Sequence, residues 1–291
     1  MTNFPSLTVA RTRREVRAWV GDVKAGGARL AFAPTMGALH AGHLSLVEKG
    51  LEHADVVASS IFVNPAQFAP NEDFESYPRN ELRDVEMLAA AGCRLVYCPA
   101  STEVYPAGDS TRVLVHGLSQ ILEGAIRPHF FEGVATVVSR LFLHVTPDVG
   151  VFGEKDYQQL LVIRRMVVDM GFPIEIIGAP TLREPDGLAM SSRNAYLTTD
   201  QRTLAAELPN VMKDAAARIE AGQTLSSTIQ TAVAALLSAG FAGVDYVEAR
   251  KADSLDTFRS ETAPAGAEGR LLIAARLGGT RLIDNMAFRR R

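Results

Sequence analysis

The chain has 291 residues with an ordinary globular composition, since 47% of them are hydrophobic and 22% are charged. This length predicts two domains of unequal size. The formal net charge of -3 excludes an overall basic field that would attract nucleic acid, so any anion-binding site has to be local.

Membrane and secreted proteins are also disfavoured by the sequence. Charges interrupt every apolar stretch before it reaches membrane-spanning length, and the N-terminal residues lack the apolar region and cleavage site of a secretory signal. Cys93 and Cys98 flank a short apolar run and form neither a CxxC pair nor a metal-binding pattern. We therefore predict reduced packing cysteines in a cytoplasmic protein.

Short apolar strands alternate with amphipathic helices through the first 180 residues. The predicted strands lie at 30–33, 56–63, 94–98, 149–152 and 174–177. The predicted helices lie at about 11–25, 43–53, 80–91, 131–144 and 156–170. This alternation predicts an α/β fold, with a Rossmann-like doubly wound parallel sheet.

The character of the sequence changes near residue 180, where the turn-rich segment 179–187 predicts a connection between domains. Two predicted helices and then three extended runs follow, at about 200–221, 225–239, 244–249, 270–277 and 280–286, with a loop at 261–269. Helices followed by closely spaced strands predict an antiparallel sheet. We expect domains at 1–182 and 183–291, the second being a smaller C-terminal α+β lid domain.

The decapeptide PTMGALHAGH, residues 34–43, joins the first of these strands to a helix. His40 and His43 therefore lie at the carboxyl end of a strand, where open α/β sheets bind ligands. The helix N-terminus offers unpaired N–H groups and a positive dipole end to a phosphate, and both imidazoles could donate to its oxygens. Gly42 would let a flat ligand such as a purine approach the backbone closely.

The histidine pair by itself leaves other roles open. Two histidines at helical spacing are commonly part of a solvated face, or serve as capping and core residues. A metal site is a further alternative, but no third ligand is nearby and the HExxH pattern of zinc enzymes is absent. The phosphate role therefore depends on the other polar clusters of the chain.

Two of these clusters follow later in the first half of the chain. Asn64 and Gln67 come directly after the second predicted strand, where their amides could orient a hydroxy acid without adding charge. A simple polar loop is the alternative. Asp84 lies in the first turns of a predicted helix, and a lone aspartate there is usually a solvated carboxylate or a helix-end charge. It becomes a Mg²⁺ candidate only if nucleotide phosphates lie close.

Three cationic or hydroxyl-bearing clusters complete the pattern. Arg127 precedes the most amphipathic helix, and its planar fork could clamp a carboxylate or phosphate. Lys155 follows a strand and a glycine without any P-loop or GxGxxG sequence. Ser191, Ser192 and Arg193 lie in the predicted connection, where a mobile loop could stabilise charge on departing pyrophosphate. Together these groups indicate an ATP-phosphate site.

Several long motifs of the chain resemble one enzyme family. HAGH is similar to the HxGH signature of the nucleotidyltransferase superfamily, and MSSRN is similar to its KMSKS-type loop. In order and spacing, the segments FVNPAQF, YPR, LEGAIRP, FGEKDYQQL and DGLAMSSRNAYL resemble the pantothenate synthetase (pantoate–β-alanine ligase) family. The resemblance extends over about residues 30–200.

The resemblance implies an AMP-forming ligase of pantothenate and coenzyme A biosynthesis that works in two steps. Pantoate attacks the α-phosphate of ATP, which gives pantoyl adenylate and pyrophosphate, and β-alanine then attacks the acyl carbon and releases AMP and pantothenate. Because the substrate carboxylate is the nucleophile, no catalytic serine or cysteine is needed, and catalysis is mostly positioning and charge stabilisation. The resemblance also implies Mg²⁺ and a homodimer built from N-terminal domains.

The resemblance implies roles for individual residues at the matching motif positions. The residues that it implies to be catalytic, by acting on the reacting phosphates, are His40, His43, Lys155, Ser191, Ser192 and Arg193. It implies pantoate binding for Asn64, Gln67, Tyr77, Arg127 and Gln159. It implies ATP contacts for Met36, His43, Gly153, Lys155, Asp156, Leu182, Met190, Ser191, Ser192 and Arg193, and a magnesium site at Asp84 and Gln159.

One position departs from the family pattern. The family often reads RPGHF where this chain reads Arg127-Pro128-His129-Phe130-Phe131, so Phe130 stands in place of a histidine. One residue corresponds to about 100° of rotation on a helix, so His129 does not simply substitute for it.

Two other functions stay open from the sequence. A plain nucleotidyltransferase would transfer AMP or CMP to a phosphorylated acceptor and accumulate a nucleotidylated product without an amine. A non-catalytic regulator would keep the fold and bind nucleotide without turnover.

Overall fold

A computed structural model describes residues 7–70, 72 and 74–291 of the chain. Two compact units are present: unit 1 comprises Met1–Glu154 and Gln159–Pro180, and unit 2 comprises Lys155–Gln158 and Thr181–Arg291. The chain thus passes into unit 2 close to the predicted boundary at 182. The short piece Lys155–Gln158 also belongs to unit 2, which the sequence pattern does not predict.

The strands of the described residues form one sheet in each unit. Their bounds are β1 Thr8–Ala10, β2 Leu30–Thr35, β3 Val56–Ile61, β4 Leu95–Tyr97, β5 Val149–Gly153, β6 Glu175–Ala179, β7 Gly243–Lys251, β8 Glu268–Leu277 and β9 Thr280–Arg289. The sheet of unit 1 has the order β1-β4-β3-β2-β5-β6 with all its strands parallel. The sheet of unit 2 has the antiparallel order β7-β8-β9.

The helices of the described chain surround these sheets. Their bounds are α1 Arg13–Ala25, α2 Ala41–Leu51, α3 Glu81–Ala90, α4 Ser101–Val104, α5 Glu123–Ile126, α6 Phe130–Val145, α7 Tyr157–Asp169, α8 Thr199–Ala205, α9 Glu207–Glu220 and α10 Leu225–Ser238. Short 3-10 helices lie at Pro65–Gln67, Leu118–Gln120, Glu154–Asp156 and Ser192–Tyr196. None of the helices that can be described is both long and apolar enough to cross a membrane.

Both faces of the parallel sheet are buried, as β2 illustrates. Leu30 and Phe32 pack with residues of α1, α6 and α7, whereas Ala31 and Ala33 pack with residues of α2 and α3. Successive strand residues point to opposite faces, so a strand covered on both sides has a continuous apolar run. The predicted doubly wound α/β fold and the smaller antiparallel α+β unit are confirmed.

The strand order places a ligand-binding edge at one point of the sheet. From β2 the chain moves outward through β3 and β4, and it then returns to the other side of β2 to form β5 and β6. The order therefore reverses between β2 and β5, and ligands of such sheets bind beyond the carboxyl ends of the strands at this switch point. The segment 34–43 leaves the end of β2, and Gly153 ends β5.

One prediction of secondary structure was wrong in detail, and one strand was not predicted. The single helix predicted at 200–221 is two helices, because α8 ends at Ala205 and α9 restarts at Glu207. Pro209 lies in the first turn of α9, where its missing N–H leaves no hydrogen bond unmade. The edge strand β1 was not predicted, since three residues carry too little periodicity.

The two cysteines are free and buried, as predicted for packing residues. Burial raises the pKa of the Cys93 thiol and of the Cys98 thiol to about 12 in each case. Both groups therefore stay protonated near neutral pH and are poor nucleophiles.

Candidate active site

The two histidines of the decapeptide lie where α2 begins. His40 is the N-cap residue of α2, and its Nδ1 accepts a hydrogen bond from the Gly42 N–H at 3.2 Å. The Nδ1 of His43 accepts from the His40 N–H at 3.4 Å, and the two ring centroids are 4.1 Å apart. The predicted strand-to-helix junction is confirmed, and both imidazoles take part in capping the helix.

Capping determines which ring nitrogen of each histidine carries hydrogen. A neutral imidazole has one N–H and one acceptor nitrogen, so an Nδ1 that accepts leaves the hydrogen on Nε2. His40 and His43 therefore present Nε2–H donors at a helix N-terminus, where backbone N–H groups also favour anions. The capping alternative and the phosphate role are thus compatible.

Asp84 holds the loop that leads to the histidines. Its carboxylate, on the first turn of α3, is fully buried and accepts from the N–H groups of Ala38 at 2.8 Å and Leu39 at 3.0 Å. Ala38 has a φ of 52°, which is uncommon for a residue with a Cβ, and Gly37 has a φ of 85°. A Cβ on Gly37 would lie 3.0 Å from Asp84 Oδ2. The alternative of a solvated carboxylate is therefore wrong, whereas Asp84 does lie at the N-terminal end of its helix.

The magnesium role of Asp84 concerns a carboxylate that also holds the loop backbone. Both of its oxygens already accept from backbone N–H groups, and Gln159 would add only a neutral amide oxygen. Across the residues that the structure describes, His, Cys, Asp and Glu side chains form no group of three that could hold a metal ion. A Mg²⁺ ion bound by one carboxylate together with ATP phosphates and water needs no such group, so this role stays a prediction.

The Asn64 amide is fixed in one orientation within unit 1. Asn64 Oδ1 accepts from the Ala66 N–H at 3.3 Å and from the Tyr105 hydroxyl at 2.6 Å. Asn64 Nδ2 donates to the carbonyl of Gly133 at 3.1 Å and to Gln67 Oε1 at 3.0 Å. A backbone N–H can only donate and a carbonyl can only accept, so a flipped amide would place its NH₂ against the Ala66 N–H and its oxygen against the Gly133 carbonyl.

The Asn64 orientation in turn determines what Gln67 presents. Because Gln67 Oε1 accepts from Asn64, the Gln67 Nε2 group is the end left to act as a donor, and it lies 3.1 Å from Met36 Sδ. A Cβ on Gly133 would lie 2.4 Å from the Ala66 carbonyl oxygen, so only glycine allows α6 to approach this closely. The structure thus brings together Met36, Asn64 and Gln67, with an amide donor suited to a carboxylate or hydroxyl oxygen.

Arg127 is engaged with protein carboxylates. Its guanidinium donates to the two Glu72 oxygens at 2.6 and 2.5 Å, to Glu123 Oε1 at 3.2 Å and to the Gln67 carbonyl at 3.2 Å. Burial acts to raise the pKa of Glu72, but the hydrogen bond and charge of Arg127 lower it below the usual value. Phe130 covers the guanidinium, with its ring centroid 4.0 Å from Arg127 Cζ. This geometry disfavours the predicted direct clamp on pantoate.

Tyr77 and Gln159 are the other residues that the family resemblance leads us to expect in pantoate binding. Tyr77 is buried, and its ring makes an edge contact with Phe68 at a centroid distance of 6.0 Å. His129 is exposed immediately before α6, so it does not stand in for the histidine that Phe130 replaces. Gln159 is half-buried in the first turn of α7.

In unit 2, Lys155 lies in the 3-10 helix Glu154–Asp156 that follows β5. Its side chain is 21% exposed, and Nζ lies 3.2 Å from Asp156 Oδ1. Its carbonyl accepts from Asn285 Nδ2 at 2.7 Å. The ammonium group therefore keeps access to solvent while the backbone beneath it is held.

The segment that contains Ser191 and Arg193 is folded as a capped turn. The Ser191 hydroxyl accepts from the Arg193 N–H at 3.3 Å and caps the 3-10 helix Ser192–Tyr196. The Met190 N–H donates to the Leu182 carbonyl at 3.0 Å, so these two predicted ATP contacts face each other across a hairpin. Asn194 Nδ2 donates to the Ala189 carbonyl at 3.1 Å, which ties the turn to that hairpin.

Sequence reasoning missed three residues that organise these groups. Nothing in the sequence around Tyr105 distinguishes it, because its partner Asn64 is 41 positions away. Asp284 and Asn285 carry a signal, since they are two consecutive polar residues between the apolar stretches Leu282–Ile283 and Met286–Phe288, and both are buried. Buried polar groups in a strand require partners, which points to a structural or functional role.

Sequence similarity links the chain to one family of ligases. The sequence profile of the family described as Pantoate-beta-alanine ligase matches residues 8–287. A pantothenate synthetase of Caulobacter vibrioides is 57% identical over 281 residues, which cover 96% of this chain and 96% of that protein.

Two solved structures are similar over nearly the whole chain. Pantothenate synthetase from Thermus thermophilus is 43% identical with a TM-score of 0.89, covering 96% of this chain and 99% of its own. Pantoate-beta-alanine ligase from Francisella tularensis, solved with beta-gamma ATP and beta-alanine, is 32% identical with a TM-score of 0.80, covering 96% and 97%. The chain therefore belongs to the pantoate–β-alanine ligase family of enzymes.

Proposed function

We propose that this enzyme condenses pantoate with β-alanine through a pantoyl-adenylate intermediate. In the first step a carboxylate oxygen of pantoate bonds to the α-phosphorus of ATP, and pyrophosphate leaves with the electrons of the broken P–O bond. In the second step the β-alanine nitrogen bonds to the acyl carbon, the bond to AMP breaks and the amine loses a proton. The products are pantothenate, AMP and pyrophosphate.

The observation that carries the proposal is the capped histidine pair. The first step brings an anionic carboxylate to an anionic triphosphate, so positive charge and fixed donors have to offset their repulsion. Nε2–H donors of His40 and His43, fixed by backbone hydrogen bonds, supply the donors without reorganisation, and the N-terminus of α2 adds a positive dipole end. No proton transfer by either imidazole is needed.

Two sets of side chains support the remaining contacts. The oriented Gln67 amide beside Met36 supports binding of a pantoate oxygen, with Asn64 acting through Gln67. In unit 2, the Lys155 ammonium and the cation and hydroxyls of residues 191–193 supply donors for ATP phosphates. Gly153 and Asp156 are proposed to contact the nucleotide.

Magnesium and self-association stay predictions. Because the Asp84 oxygens already hold loop N–H groups, no step is assigned to a protein-held ion, and any Mg²⁺ would be bound mainly by ATP phosphates and water. The homodimer implied by the family resemblance is tested by sedimentation velocity across a range of protein concentrations.

The function is tested by exchange of labelled pyrophosphate into ATP. We expect exchange that depends on pantoate, and release of AMP only after β-alanine is added. Exchange that ignores pantoate, or no AMP release, would contradict the proposal. A nucleotidylated product that accumulates without amine would indicate a nucleotidyltransferase, and ATP binding without turnover would indicate a regulator.

The role of the histidines is tested separately with a matched pair of variants. We expect His43→Ala to slow exchange by about 10²–10³-fold, the usual effect of removing a donor to a developing charge. His53→Ala, which changes a histidine beyond the end of α2, should leave exchange near the wild-type rate. Equal rates in the two variants would contradict the phosphate role of His43.

A further inference from the structure

Two adjacent residues of β9, Asp284 and Asn285, contact the hairpin that precedes residues 191–193 and the backbone of Lys155. The Asp284 side chain is completely buried and pairs with Arg183, whose Nη1 and Nη2 donate to its two oxygens at 2.7 and 3.0 Å. Asn285 Nδ2 donates to the Lys155 carbonyl at 2.7 Å. Successive residues of a strand point to opposite faces, so neighbouring positions can hold two different segments.

The Asp284 pair fixes the hairpin that precedes Ser191. Beyond Asp284, Arg183 Nη1 donates to the Gly187 carbonyl at 3.0 Å and so closes the turn from within. The hairpin is completed by backbone pairing of Arg183 with Ala189. Residues 191–193 follow the hairpin directly, so the Arg183 guanidinium helps to fix the position of their first residue.

The Asn285 contact fixes the other segment. Its acceptor is the backbone of Lys155 itself, so the bond acts on the residue that carries the ammonium group. Arg183 Nη2 also donates to the Asn285 carbonyl at 3.2 Å, and the Asn285 N–H donates to Asp284 Oδ1 at 2.7 Å. The two contacts therefore belong to one hydrogen-bond network rather than to independent loops.

We propose that Asp284 and Asn285 are positioning residues for the adenylation step. From β9 they hold Lys155 and residues 191–193 in a fixed position relative to each other. This inference rests on the proposed function. Catalysis by donors placed on a reacting phosphate depends on their geometry, and a misplacement of about 1 Å costs about 10²-fold in rate. Neither residue has to touch ATP.

The test uses isosteric variants of the full-length protein. Asp284→Asn removes the charge that pairs with Arg183, and Asn285→Asp replaces the donor to the Lys155 carbonyl with an oxygen. We expect each to lower kcat for pantoate-dependent pyrophosphate exchange about 10- to 100-fold while the KM for pantoate stays within about twofold. Transfer from supplied pantoyl adenylate to β-alanine should fall much less, because that step does not release pyrophosphate.

Two matched controls separate positioning from general damage to the sheet. Asp245 on β7 also pairs with two arginines, Arg276 at 3.2 Å and Arg281 at 2.6 Å, but contacts neither phosphate segment through these bonds. Asp245→Asn therefore removes a comparable charge, and Thr280→Val removes a hydroxyl from β9. Both should keep kcat for exchange within about twofold of wild type, although their melting temperatures should be similar to those of the β9 variants.

Each outcome decides the proposal. Equal losses in the β9 variants and the controls, or equal losses in exchange and transfer, would show a merely structural role and overturn it. If Asn285→Asp does not fold, Asn285→Ala removes the same donor without adding charge, and unaltered exchange in that variant would also overturn it. Absence of pantoate-dependent exchange in the wild type would remove the proposed function itself, whereas wild-type exchange with unaffected variants rejects only the positioning role.

Discussion

The Tyr105 hydroxyl donates to the amide oxygen of Asn64 over 2.6 Å. Burial is the main cause that raises the pKa of Tyr105 to about 12, so the hydroxyl remains protonated at neutral pH. The Arg140 guanidinium covers the ring, with Cζ 4.7 Å from its centroid. Tyr105 thus supports the amide that determines which end of Gln67 acts as a donor.

We expect Tyr105→Phe to raise the KM for pantoate about 3- to 10-fold, with a smaller change in the KM for ATP. The variant removes one hydrogen bond, worth about 1 kcal/mol, from the group that orients Gln67. Steady-state kinetics with each substrate varied in turn measures both constants. Tyr97→Phe is the matched control, because it removes a buried hydroxyl that bonds to His144 instead. Equal effects of the two variants would contradict the orienting role.

Asp84→Asn should disturb the loop of Ala38 and Leu39, which leads to His40, although the two side chains are nearly the same size. The carboxylate accepts from two backbone N–H groups, whereas asparagine offers one acceptor and turns an NH₂ toward the other donor. We expect a loss of about 1–3 kcal/mol in the free energy of unfolding and at least a 10-fold loss of pyrophosphate exchange. Denaturant titration and exchange assays measure the two effects.

The control for Asp84 is Glu81→Gln in the same helical turn. Glu81 pairs with Arg11 at the surface, and such exposed pairs contribute little to stability. Its variant should resemble wild type in both assays. A stable Asp84→Asn protein with full exchange activity would show that the loop does not depend on the carboxylate.

Arg127 and Glu72 are expected to act as one unit. Because the pair is partly buried and bidentate, a double-mutant cycle with Arg127→Ala and Glu72→Ala should give a coupling of about 1–2 kcal/mol in the free energy of unfolding. Each single variant should raise the KM for pantoate, since Arg127 also holds the Gln67 carbonyl.

A decrease in the KM for pantoate, instead of an increase, would identify a different role for Arg127. If Arg127 bound pantoate directly, Glu72→Ala would release the guanidinium and lower the KM for pantoate. The exposed pair Lys49 and Glu52 provides a reference cycle, whose coupling should be near zero.

His144 should make the protein less stable as the pH falls from about 6.5 to about 4. Burial in α6, with the charges of Arg13 and Arg17, lowers the pKa of this imidazole to about 4. In that pH range the unfolded chain binds the proton and the folded protein does not, so protonation favours unfolding. The loss reaches about 3 kcal/mol below pH 4.

Thermal unfolding of wild type and His144→Gln at several pH values measures this contribution. The variant should have a flatter dependence of melting temperature on pH between 4 and 6.5. His116→Gln, which changes an exposed histidine, should keep the wild-type slope. Parallel curves for wild type and His144→Gln would refute the assignment.

Local periodicity predicted most of the parallel sheet because its strands are continuous apolar runs. The run that begins at Leu30 is buried on both faces, and the stripe of α6 packs on one of them, so burial alone accounts for both patterns. The same reasoning failed at the α8–α9 junction, where apolar spacing continues through a break in the backbone.

The functional motifs were also visible in the sequence, but their supports were not. His40 and His43 could be placed at a strand end because a helix pattern starts beside them. The fixation of their ring nitrogens by backbone N–H groups depends on the conformation of the loop. That loop is held by Asp84, which is remote in sequence.

The sequence by itself determined the fold class, the order of the elements and the segments that carry the chemistry, because these follow from burial patterns and short motifs. Only the tertiary structure decided which side chains hold those segments. Asp284 reaches Arg183 across 101 positions, and Asn285 reaches Lys155 across 130. Such bonds form between residues that the fold brings together, so no local pattern encodes them.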